Sequence, residues 1–175
     1  MTTFFDLAQT RRSTRKFKSD AVPQELQEQL QKIVLMSPAS KRANPWEFIF
    51  VEDKKTLEAL STCKQMGAAF VKDAPLAVVV VADPQKSDVW IEDASVASTY
   101  LHLAAEDLGL GSCWVQIRRR GKENGEQASE VLKKLLNIPS SYEVLSIIAI
   151  GYKDEERKPF DLSRLQLDKI HKETF

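Results

Sequence analysis

The run Leu76–Ala82 (LAVVVVA) is apolar at every position. Successive side chains of a strand point to opposite faces, so a strand of this kind needs cover on both. It is far too short to cross a bilayer, and the cover must come from the chain's own helices. Phe48–Glu52, Ser112–Ile117 and Val144–Ile150 carry the Val, Ile, Phe and Trp of further strands. Three of these four segments are nearly continuous in apolar residues rather than alternating. The expectation is α/β or α+β layering, a sheet between helices, with strand order left open.

The helices are expected around and between these strands. Leu26, Leu30, Ile33 and Val34 form an i, i+4, i+7, i+8 stripe within 23–36, and Pro23 suits its first turn. Asp53 is a candidate N-cap for a helix over 54–64. Shorter helices are expected over 3–10 and 126–136, the latter stopped by Asn137 and Pro139. The longest spans 90–108 and ends at Gly109. Its small residues (Ala94, Ser95, Ala97, Ser98, Ala104, Ala105) sit beside Val96, Leu101, Leu103 and Leu108, which predicts burial on most sides. The segment 162–175 fits either a short helix or a docking arm.

With 175 residues, 43 % of them apolar, the chain suits a single domain with a real core. Lys+Arg and Asp+Glu both total 25, so bulk charge gives no reason to expect nucleic acid or an anionic membrane as partner. The opening residues, MTTFFDLAQTRR, lack the basic-then-apolar layout of a secretion signal. Two cysteines, Cys63 and Cys113, cannot build a disulfide scaffold. The chain reads as a soluble, cytoplasmic domain.

Three clusters could carry chemistry. Arg11-Arg12-Ser13-Thr14-Arg15-Lys16 concentrates guanidinium and hydroxyl donors suited to phosphate, and an extended backbone would put Arg11, Ser13 and Arg15 on one side. Taken alone it also describes a solvated basic turn. Ser37 to Trp46 (SPASKRANPW) is a loop of restricted backbone and small side chains that can lie against a flat ligand, with Asn44 as donor and acceptor. It equally describes an ordinary helix-to-strand connection. Gly109-Leu110-Gly111-Ser112-Cys113-Trp114-Val115 turns the long helix into a strand. Its glycines follow a helix instead of opening one, so it is no dinucleotide fingerprint. With only His102 and His171 as histidines, Cys113 lacks a plausible base and reads as a core thiol. No zinc-ligand spacing is present, and no metal is expected.

In this order and spacing, RRSTRKF, SPASKRANPWEF, DASVASTYLHLAAEDLGLGSCWV and LSIIAIGY resemble the nitroreductase family over most of the chain. The resemblance implies an α+β, three-layer α/β/α fold whose mixed sheet is flanked by helices. It also implies an intertwined homodimer with FMN at the subunit interface, residues 1–175 forming one domain whose arm, about 160–175, docks on the partner. By similarity, Arg11, Arg12 and Ser13 match phosphate- and ribityl-binding positions, and Arg15 faces the pyrimidine edge of the flavin. Pro38, Ala39 and Ser40 match the loop lying against the partner's flavin. Asn44 stands where glutamine often contacts the ribityl or ring edge. Val115 and Gln116 align with the stretch whose backbone N–H approaches flavin N5, and Arg164 resembles a second phosphate-binding arginine. The chain departs from the pattern at Arg42, often asparagine; at Ala39, often serine; and at Leu162, often basic.

The implied reaction takes electrons from NAD(P)H by a ping-pong scheme and delivers them to a nitroaromatic, quinone or similar small acceptor. The flavin carries the chemistry, so no side chain is assigned as catalytic. Arg15 would stabilise the reduced flavin electrostatically. Two alternatives stand beside this. One is a family relative with a specialised role in flavin cleavage, dehalogenation or biosynthetic oxidation. The other is a nucleic-acid module using Arg11–Lys16 and Arg118–Lys122, against which the zero net charge counts.

Overall fold

A computed structural model describes residues 3–175; the first two residues of the expected single domain lie outside the described residues. Four strands form one sheet in the order β1-β2-β4-β3: β1 (Trp46–Val51), β2 (Leu76–Ala82), β3 (Gly111–Gln116) and β4 (Glu143–Gly151). The apolar run that demanded cover on both faces is β2, in which every residue is buried. Four of the five described helices supply much of that cover, α2 (Gln24–Leu35), α3 (Lys54–Ser61), α4 (Trp90–Asp107) and α5 (Ala128–Leu136), while α1 (Phe4–Thr10) buries no residue and packs on α4.

Strand alternation sorts the core into two halves. Val79, Val81, Val115, Ile117 and Ile147 face one way and pack with Leu57 and Leu60 of α3 and Leu132 of α5. Leu76, Val78, Val80, Ile148 and Ile150 face the other way and pack with Leu30 and Val34 of α2 and Ala94, Ala97 and Leu101 of α4. This is the expected α/β/α layering.

The mixed character of the sheet differs from expectation. All three strand pairings are antiparallel, and the parallel component among the described residues is a single bridge, Ser13 to Ser112. Continuous apolar runs report burial on two faces, which helices supply whatever the strand direction.

Helix ends moved by one to three residues. Pro23 is the N-cap of α2 rather than part of its first turn. α3 stops at Ser61, not Lys64, because the Cys63 N–H turns back onto Leu60 O and its thiol enters the core. α5 begins at Ala128 because Glu126 and Gln127 are engaged by the preceding loop, through Lys122 N–H to Glu126 O and a Gly121–Gln127 bridge. Residues 162–175 hold two short 3-10 turns, Leu162–Arg164 and Leu167–Lys169, on an exposed arm.

α4 is less buried than its composition predicts. Ala94, Ala97, Leu101, Ala104 and Ala105 lie on the sheet, whereas Val96 is 38 % exposed and Tyr100 and Leu103 are only half-buried. Tyr100 and Leu103 join Phe4, Leu7 and Ile33 in an open apolar groove of about 540 Å³. Among the described residues, no helix is long and apolar enough to cross a membrane.

Candidate functional site

The basic segment 11–16 reaches the sheet through Gly111. A Cβ there would lie 2.6 Å from Thr14 Oγ1 and 2.8 Å from Lys153 Cγ, so any side chain would push the segment away. With glycine in place, Thr14 is buried, its N–H donates to Ser112 O at 3.0 Å, and Ser13 bridges Ser112. Arg11, Ser13 and Arg15 then gather around Cys113. Arg12 turns elsewhere, its Nη1 donating to Lys158 O at 2.7 Å. It shares a depression of about 600 Å³ with Arg164, Lys158 and Gln166. The Arg15 N–H donates to Glu155 Oε1 at 2.9 Å, and Glu155 also pairs with Arg157 at 2.9 Å.

The neighbours of this segment are electrically quiet. Burial raises the Cys113 thiol pKa, a shift only opposed by Arg15, Ser13 and Arg11. A protonated buried thiol is a poor nucleophile. Burial, with Arg11 adding to it, pushes His102 down to about 4. Its imidazole is therefore neutral at pH 7, with Nδ1 hydrogen-bonded to Ser112 Oγ at 2.7 Å. His102 thus holds the strand against which the basic segment docks.

β3 is an edge strand, and the parity of its ladder decides which groups are free. The Ile117 N–H donates inward to Leu145 O at 3.1 Å. In an antiparallel ladder this sends the N–H and C=O of Ser112, Trp114 and Gln116 to the outer edge. Two contacts agree: Ser112 O accepts from the Thr14 N–H, and Gln116 O accepts from Lys64 Nζ at 2.9 Å. Of the two residues expected to present a backbone N–H, Gln116 therefore faces outward, and Val115 does not. The Val115 N–H points to β4, and its side chain is 1 % exposed in the core. The Gln116 side chain is fixed by Trp114 Nε1, at 2.9 Å to its Oε1, and by its own Nε2 donating to Arg118 O at 2.9 Å.

The second cluster is a loop of unusual backbone. Lys41, Arg42 and Asn44 adopt φ of 51°, 57° and 43°, a left-handed region that costs non-glycine residues and concentrates at functional loops. Asp93, 5 % exposed in the first turn of α4, anchors it: Oδ1 accepts the Ser40 N–H at 2.7 Å, and Oδ2 accepts Ser87 Oγ–H at 2.8 Å. Pro38, Ala39, Ser40 and Asn44 thus sit beside β1 and the start of α4. Arg11–Arg15 sit beside β3, next to His102, nine residues further along α4. A rise of 1.5 Å per residue separates the two by about 14 Å, as do the roughly 4.8 Å spacings across the sheet from β1 to β3. Within one chain the two clusters are thus tied to different stretches of α4.

Asp93, His102 and Lys64 were absent from the sequence-level candidates. Asp93 carried a faint signal, an acid opening a helix of small and apolar residues; the other two carried none. Among the described residues, no group of three or more His, Cys, Asp or Glu could hold a metal.

The described residues form an α+β protein, a helix-clad sheet with a basic segment docked on its β3 edge. The Nitroreductase family profile matches residues 8–69 and 59–152. An FMN-dependent nitroreductase from Clostridium difficile R20291 superimposes with a TM-score of 0.96 at 44 % identity, over 98 % of this chain and 100 % of that one. An Archaeoglobus fulgidus protein, provisionally named NADH dehydrogenase/NAD(P)H nitroreductase, is 33 % identical over 94 % of each chain. An iodotyrosine deiodinase of Thermotoga neapolitana is 26 % identical over 91 % of this chain and 94 % of its own. The chain belongs to the nitroreductase family.

Proposed function

We propose that the protein is an FMN-dependent oxidoreductase that passes electrons from NAD(P)H to a small electrophile such as a nitroaromatic or a quinone. The observation that carries this reading is the convergence of Arg11, Ser13 and Arg15 beside the outward N–H edge of β3. The donor set fits the group. Guanidinium and hydroxyl groups suit a phosphate and its ribityl chain, while a free backbone edge suits the heteroatom rim of a flat ring. The FMN-dependent relative at 44 % identity supports the same cofactor.

In this reading Arg11 and Ser13 hold the phosphate end from beside β3, and Arg12 and Arg164 add positive charge from their neighbouring depression. Arg15 sets positive charge beside the ring edge where negative charge develops. The Gln116 N–H fixes the ring against β3. When bound, FMN supplies the two-electron chemistry, accepting hydride from a nicotinamide and yielding it to the acceptor. Since the protonated Cys113 and neutral His102 both serve structure, acceptor protons come from water.

The homodimer belongs to the same proposal. The loop Pro38–Ser40 is anchored on Asp93 and the basic segment lies by His102, about 14 Å further along α4; a twofold pairing would bring the loop of one subunit to the basic segment of the other. The apolar groove along α4, the exposed Phe4, Phe5, Leu35 and Met36, and an arm carrying Leu165, Leu167, Ile170 and Phe175 offer surface for it. A second reading, a dehalogenating relative, is favoured by the likeness to the Thermotoga deiodinase.

The deciding experiment is the visible spectrum of the purified protein followed by anaerobic NADH or NADPH. A yellow protein bleached within seconds is expected. A yellow protein that neither nicotinamide bleaches favours the second reading, and a colourless one that takes up no added FMN sinks both.

A further inference from the structure

Lys64 belongs to none of the clusters legible in the sequence, yet it touches the edge on which the flavin reading depends. It lies just past α3, in a turn pinned at one end by fully buried Cys63 and at the other by the Gln65 N–H donating to Gly121 O at 3.1 Å. From there its half-buried Nζ donates to Gln116 O at 2.9 Å. Among the described residues Lys64 forms no ion pair with a carboxylate, and its titratable neighbours are the Cys63 and Cys113 thiols and another cation, Arg120. Burial lowers its pKa. A cation held half-buried without a counter-charge is costly unless something compensates it.

The place it holds is the point where the β3–β4 ladder ends. The Ile117 and Arg118 N–H groups both donate to Leu145 O at 3.1 Å, so regular pairing stops there and the peptide after Gln116 is secured by β4 on one side alone. Lys64 secures the other. The Gln116 side chain cannot do this, since both of its polar atoms are engaged by Trp114 and Arg118.

We propose that Lys64 is a positioning residue of the flavin site: by holding Gln116 O it fixes the end of β3 so that the Gln116 N–H keeps its outward direction, and it adds a positive charge beside that edge. The inference rests on the FMN reading above. One donor of the ammonium is used on the carbonyl, and two remain for an electron-rich ring rim, which would supply the compensation the protein itself lacks.

The test compares wild type, K64M, K64R and K64Q for FMN dissociation constant, midpoint potential of the bound flavin and anaerobic rate of flavin reduction by the preferred nicotinamide. K64M is expected to bind FMN about tenfold more weakly, the scale of one charge-assisted hydrogen bond. Its potential should be more negative than wild type, because removing a cation disfavours the electron-richer form. K64R restores both. A K64M with wild-type affinity and potential overturns the proposal, as does a K64R impaired like K64M. Should K64M not fold, K64Q keeps a neutral donor and removes the charge; an unchanged potential then overturns it. Wild-type protein that takes up no FMN defeats the cofactor reading and this inference together, a result distinct from normal FMN binding with unresponsive variants.

Discussion

Asp93 accepts the Ser40 N–H at 2.7 Å and so joins the first turn of α4 to the loop whose Lys41, Arg42 and Asn44 are left-handed. The second carboxylate oxygen is taken by Ser87, so one buried side chain organises two separate segments. Replacing Asp93 by Asn removes one acceptor and introduces an amide donor facing a backbone N–H or a hydroxyl. The expected loss is about 1–3 kcal/mol, read as a lowered Tm. If the loop contacts FMN, its affinity falls as well. A variant with unchanged Tm would show that the left-handed loop holds itself.

Gly111 is the second constraint on the site. An alanine there meets Thr14 Oγ1 at 2.6 Å and Thr14 Cβ at 2.8 Å, and buried Thr14 has little room to move. We expect Gly111→Ala to destabilise the fold by about 1–3 kcal/mol, the scale of overpacking. FMN binding should weaken more than Tm predicts, because the displaced segment carries Arg11, Ser13 and Arg15. Parallel denaturation curves and FMN titrations separate the two effects. Weakened stability with intact FMN affinity would place the phosphate donors elsewhere.

The parts legible in the sequence were those set by local chemistry. Leu76–Ala82 reads as a strand covered on both faces, and Asp53 as a candidate N-cap, which it is, accepting the Thr56 N–H at 2.8 Å. What escaped depends on partners distant in the chain. Lys64 meets Gln116 across 52 residues and Ser40 meets Asp93 across 53, and neither residue advertises its partner. The parity that makes Gln116 rather than Val115 face outward is set by the register of β3 on β4, which composition does not encode. The outer stripe of α4 stays partly exposed because small residues allow burial without requiring it.

His102 gives the stability a specific pH dependence. Its pKa falls from 6.5 to about 4, chiefly through burial, with Arg11 adding to the shift. The unfolded chain therefore takes up a proton before the folded one does. Stability is unaffected above the unfolded value and declines as pH drops through 6.5 toward 4, by about 2 kcal/mol at pH 5. Carboxylates held low by hydrogen bonds, such as Glu155 and Asp53, lose stability only at more acid pH. Urea unfolding at pH 7 and pH 5 should show the decline in wild type and a smaller one in His102→Asn. An equal decline in both would assign the effect to other groups.

The two arginines at the start of the basic run should not be equivalent. Arg11 lies close enough to Cys113 and His102 to act on both thiol and imidazole, at the point where the segment meets β3. Arg12 already donates to Lys158 O at 2.7 Å and shares its depression with Arg164. If Arg11 grips the phosphate, Arg11→Ala weakens FMN about ten- to hundredfold while riboflavin, which has no phosphate, changes little. Arg12→Ala should cost less, and its effect should be non-additive with Arg164→Ala, because both act on one anion-facing depression. Titrating FMN and riboflavin into the three single variants and the Arg12/Arg164 double variant measures this. Equal losses for the two ligands in Arg11→Ala would mean that Arg11 supports the fold of the site instead of reading the phosphate. Simple additivity of Arg12 and Arg164 would mean that the arm's arginine serves a separate surface, as it would if the arm's contribution is made to the partner subunit's flavin.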